Sequence, residues 1–160
     1  MDLSSSVQLR QQLVKHLEGG EAFVPLDTIV HNIPFDKLGM VPDGLPYSLW
    51  QQFYHLRYTQ LDILEFCRNP TYASVKWPDN YWPSETKPED WQQWNRIVNA
   101  YFSERSELAE LTTNPKNNLM KPLSHGEGQM LLREVLLVIE HTAYHTGQIL
   151  IILRLLGEYE

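Results

Sequence analysis

One cysteine, Cys67, is all the thiol chemistry in this chain of 160 residues. It cannot form an intrachain disulfide, and it cannot build a cysteine-rich zinc site. Positive charge is scarce as well: 13 Lys and Arg stand against 20 Asp and Glu, a net charge of −7. The few basic residues are scattered, so no stripe is available to match a phosphate backbone or an anionic lipid surface. Nucleic acid and membrane are therefore not expected as partners. Long apolar runs are missing too. The strongest are "LLVI" (136–139) and "ILIIL" (149–153), each far short of the roughly 20 residues that span a bilayer. The opening "MDLSSSVQLR" has no basic segment leading into an apolar one, which argues against a secretory signal. A soluble, cytoplasmic protein is expected, with residues 1–160 as one domain around one core.

What is present is helical patterning. Leu9, Leu13 and Leu17 recur at helical spacing after a serine cluster, and Gly19-Gly20 stops the run. Residues 21–46 hold too many prolines and glycines for more than a short helical turn. A second helix is expected from Pro46 to Arg68, with Pro70 ending it. A third is expected from Thr86, where Thr86 and Glu89 have the spacing of a capping box, to about Leu111. A fourth is expected from Ser124, where Ser124 and Glu127 repeat that spacing, to Leu156, with Gly157 just past its end. Only Val75 and Tyr81 would tolerate a short strand. The expected fold is all-α, a four-helix bundle.

The stretch "IEHTAYHTGQIL" (139–150) carries the chemistry. His141 and His145 lie one helical turn apart, so both can present a nitrogen on one face. They are either polar residues held in a core or half of a metal site. A metal asks for a third protein ligand. His55 lies inside the second helix in "QQFYHLRYTQ", among core-type residues. His125, at the expected start of the fourth helix, lies about 24 Å along the axis from His141 at 1.5 Å per residue. His16 and His31 have nothing else to support them. His55, His141 and His145 would form a three-His site inside the bundle. A protease reading fails, because Thr142 stands where the H-E-x-x-H motif needs its glutamate.

"LLVIEHTAYHTGQILIILRLLG" closely resembles the C-terminal signature of the DinB-like (DinB/YfiT-related) superfamily. "SLWQQFYHLRYTQLDIL" resembles the His-bearing second helix of that family, and "KWPDNYWP" and "EDWQQW" resemble its inter-helix segment. The resemblance implies a four-helix bundle with a divalent metal held by His55, His141 and His145. It also implies a homodimer, and for some members a reaction that depends on a low-molecular-weight thiol.

Three neutral imidazoles would leave a divalent ion its full charge and an open position. Zinc, nickel and iron(II) all suit such a set. The expected activity is activation of a water or a thiol against a small-molecule substrate, with hydrolase or thiol-transferase chemistry. The alternative is a non-catalytic protein whose ion is structural or sensory. Gln148, one turn past His145, is a candidate to hydrogen-bond a ligand or water, against a packing role. Tyr54, Tyr58 and Tyr144 could supply a phenol near the site, against a reading as core residues. The loop with Trp77, Tyr81 and Trp82 reads as a lid or pocket wall, or as an aromatic plug at the end of the bundle. Arg57 could pair an anionic substrate, but about 200° of helix from His55 it reads as solvated or intersubunit, Trp91 and Trp94 as core or dimer contacts, and Cys67 as packing.

Overall fold

A computed structural model describes residues 3–76, 78 and 80–160, with side chains from Val7 onward. Four long helices, α1 (Leu3–Glu18), α3 (Leu49–Arg68), α4 (Trp91–Thr113) and α5 (Leu131–Leu155), form the bundle; α2 (Leu26–Val30) is a single short turn between α1 and α3. The described residues contain no strand, only one isolated bridge between Pro122 and Met130. Val75 and Tyr81 lie in irregular chain.

Helix ends follow local hydrogen bonding. Gly19 and Gly20 end α1 with φ of +81° and +84°, a region that side-chain-bearing residues avoid. The serine side chains expected to cap α1 lie outside the described residues. α3 starts at Leu49, later than expected, because Ser48 caps it: its Oγ accepts from Gln51 N, and Gln51 Oε1 accepts from Ser48 N. α4 starts at Trp91, not near Thr86. The Thr86 carbonyl is occupied by the Ser48 hydroxyl, and Asp90 takes over as cap by accepting from Gln93 N at 2.6 Å. α5 starts at Leu131, not near Ser124, because "HGEG" folds into turns. Gly126 N donates to Leu123 O and Gly128 sits at φ +111°. At the far end the expected Gly157 does terminate α5. Its N–H donates to Arg154 O while Glu158 N donates to Leu153 O, a Schellman closure.

The two apolar runs of the last third thus belong to one helix. Taken alone, α5 is long and apolar enough to cross a membrane. Here it is the central helix, packed on α3, α1 and α4. The core divides into two clusters. One gathers Trp50, Phe53, Trp94, Tyr101, Ile149 and Ile152; the other gathers Leu17, Leu64, Leu108, Val135 and Val138. On each of α3, α4 and α5 the apolar residues pause between the clusters. Gln60, Arg105 and Thr142 fill that gap, all buried. Arg57, expected to be solvated or intersubunit, instead reaches α4 within the chain and pairs with Glu104. Trp94 is core, whereas Trp91 is exposed.

Asp90→Ala should cost about 1 kcal/mol in a urea melt, and Thr86→Ala should cost almost nothing. A larger loss from Thr86→Ala would mean that α4 begins upstream of Trp91.

Candidate metal centre

α3 and α5 lie against each other, and their histidines meet at the contact. His55 (2% exposed) and His145 (5% exposed) are buried, and His141 is half-buried. One ring nitrogen from each lies within 4.8 Å of the others. Ring centroids are 4.3 Å apart for His141–His145, 4.8 Å for His55–His145 and 5.2 Å for His55–His141. The three residues singled out from spacing are therefore brought together, and they could hold one ion.

The donor set fits a metal. His145 Nδ1–H donates to Gln52 Oε1 at 2.8 Å, and His55 Nδ1–H donates to the Tyr81 carbonyl at 3.2 Å. Both bonds select the tautomer whose lone pair is on Nε2, and they orient the ring, as supporting groups do around metal-bound histidines. Burial, His145 and His55 push the His141 pKa down to about 3. Burial and His55 push His145 down to about 4 against the opposing effect of Gln148. Burial lowers His55 as well, more than the Tyr81 carbonyl raises it. All three are neutral at pH 7, the form that binds a metal.

The loop after α3 builds one side of the site. Trp82 stacks flat on His55, centroids 4.0 Å apart and planes 3° apart. Asp62 on α3 anchors the loop by accepting from Tyr72 Oη at 2.7 Å and Tyr81 Oη at 2.5 Å, one phenol on each oxygen. The aromatic segment is thus a wall of the site, not a plug at the bundle's end. Trp77 lies outside the described residues.

Gln148 is half-buried beside His145. It sits close enough to favour the imidazolium, yet its buried Oε1 has no hydrogen-bond partner. Tyr144 is exposed, not core, and its ring stands nearly perpendicular to that of His145. The remaining histidines stand elsewhere. His125 Nε2–H donates to Phe66 O, His31 is exposed against Asp27, and His16 is exposed. The Cys67 thiol is pushed up to about 12 by burial and Glu134, which suits packing and not ligation.

Gln52 escaped the sequence reading although its place one turn before His55 puts it on the same face of the helix. Tyr81 and Trp82 lie in the loop that the sequence offered as a pocket wall, but their contacts with His55 had no sequence signal, because loop docking brings them in. Gln52→Leu should weaken zinc binding by about 10–100-fold while helical content holds. Unchanged affinity would mean that another group orients His145.

No curated protein and no solved structure matches this chain. The sequence model of the DinB family, however, matches residues 10–160, nearly the whole length, and the chain belongs to the DinB family.

Proposed function

We propose that His55, His141 and His145 bind one divalent ion, zinc, nickel or iron(II), and that the centre activates a water or thiol against a small-molecule substrate. The observation that carries this reading is the convergence of three neutral imidazoles, two with Nδ1 already engaged. Among the described residues the ligating group holds three members, one fewer than a closed structural zinc site uses. Such an ion, when bound, polarises an oxygen or sulfur and lowers the pKa of a bound water to about 7. The unpartnered Oε1 of Gln148 is the acceptor we assign to that water's or thiol's proton. Trp82 shields one face of His55 from solvent. A low-molecular-weight thiol in a reducing cytoplasm would meet this centre in usable form.

Elemental analysis of untagged protein prepared without chelator should find about one ion per chain, lost in His55→Ala and His141→Ala. Stoichiometric metal in either variant would overturn the ligand set. Cobalt-loaded protein should change its visible spectrum when 2-mercaptoethanol is added, because an open position takes the thiolate. An unchanged spectrum would favour the structural or sensory ion.

The same reading includes a homodimer, and the outer face of α5 supports it. Leu136, Tyr144, Ile151 and Leu155 are exposed there. At Gly147 an added Cβ would meet nothing within 4 Å, so no neighbour in the chain accounts for a mid-helix glycine. Glu140 and Arg154 lie seven residues either side of Gly147 and about 20° from its line on the helix. An antiparallel two-fold through Gly147 would pair Glu140 with the second copy's Arg154 twice. Glu140→Arg and Arg154→Glu should each dissociate the dimer in analytical ultracentrifugation, and the double variant should restore it. A monomeric wild type would end this reading.

A further inference from the structure

Arg105 is 7% exposed, and every group it bonds is neutral. Its Nε–H donates to Gln60 Oε1, Nη1 to the Leu17 carbonyl, and Nη2 to the Tyr101 and Thr142 hydroxyls. A buried guanidinium ordinarily has a carboxylate beside it. Those four bonds also leave one of the five N–H groups, on Nη1, without a partner among the described residues.

This guanidinium lies at the floor of a cavity of about 330 Å³ between α1, α2 and α4, away from the three histidines. That is within the roughly 300–1,000 Å³ range of small-molecule sites. The floor holds only donors. The Tyr101 and Thr142 oxygens accept from Arg105 and the two hydroxyls also bond each other, which leaves the pair one hydrogen to give. The walls are apolar, with half-buried Phe23 and Phe102 and buried Leu26. The acids that line the cavity, Glu18 and Asp27, are exposed at its rim, where water screens them. They set a requirement as well: the ligand's charge must lie deep, with its neutral part at the mouth.

We propose that this cavity is a binding site for a small organic monoanion, a carboxylate on an apolar body, with its oxygens on the free Nη1–H of Arg105 and the one hydrogen left to the Tyr101–Thr142 hydroxyl pair. A carboxylate has an oxygen for each of these donors and supplies the missing negative charge. The site is separate from the histidine cluster and stands whether or not that cluster holds an ion.

Benzoate is the probe and benzyl alcohol its neutral counterpart. Titrations of the full chain are followed by NMR at the Arg105 Nε–H signal. Benzoate should shift that signal saturably, and benzyl alcohol should bind at least about tenfold more weakly, as expected when a buried charge is left unmatched. Ala109→Trp and Ser106→Trp, which fill the cavity from its wall and its exposed rim, should each abolish the benzoate shift and leave the fold intact. His55→Ala should leave the shift unchanged. The proposal is overturned by an unmoved Arg105 signal, by equal binding of the alcohol, or by benzoate binding that survives both tryptophans. Loss of binding in His55→Ala would place the carboxylate on the metal centre and overturn it equally.

Discussion

Arg105 is the contact on which the bundle turns. One side chain on α4 bonds the last turn of α1 through Leu17 O, α3 through Gln60 and α5 through Thr142. Gln60 returns to α4 by donating to Tyr101 O at 2.7 Å. Apolar packing is non-directional and tolerates helices rotated about their axes. Hydrogen bonds from a rigid guanidinium fork do not. The two apolar clusters supply most of the burial, and the polar layer between them sets how each helix is turned.

The histidines inherit that setting. Thr142 lies between His141 and His145 along α5, so the bond from Arg105 to Thr142 fixes the rotation that turns both histidines towards α3. Gln52 then holds His145 from the α3 side. α5 is thus locked in rotation from two directions at the level of the site. His55 is locked differently, by a loop. Asp62 gathers two phenols, the loop settles, and Tyr81 O and Trp82 reach His55 from outside the bundle. The histidine cluster thus depends on residues outside it.

α5 carries three demands at once. It must fill the core, present two imidazoles inward and offer an apolar strip outward. Its composition follows, with hydrophobic residues on nearly all sides and buried polar residues that meet partners on other helices, Thr142 with Arg105 and His145 with Gln52. A helix apolar all round belongs to a core or to a bilayer. Here packing on three other helices accounts for the inner faces.

Much of this was legible in the residues alone. The helical spacing of Leu9, Leu13 and Leu17, the proline and glycine stops and the capping-box spacings marked the four long helices, the i, i+4 spacing put His141 and His145 on one face, and Gly157 marked the end of α5. Helix starts were not legible where two capping signals competed. Thr86 lost to Asp90 because its carbonyl was needed by Ser48, thirty-eight residues away, and Ser124 lost to the turns at Gly126 and Gly128. Arg57 could not be assigned from its angle on the helix, since its partner Glu104 sits on another element. The sequence by itself determined which residues share a helical face, because that depends only on the 3.6-residue period. Only the tertiary structure decided which faces meet, which nitrogen of His55 and His145 is left to bind, and where a buried charge stands beside an open cavity. Those depend on contacts between residues 26 to 93 positions apart, which no local pattern records.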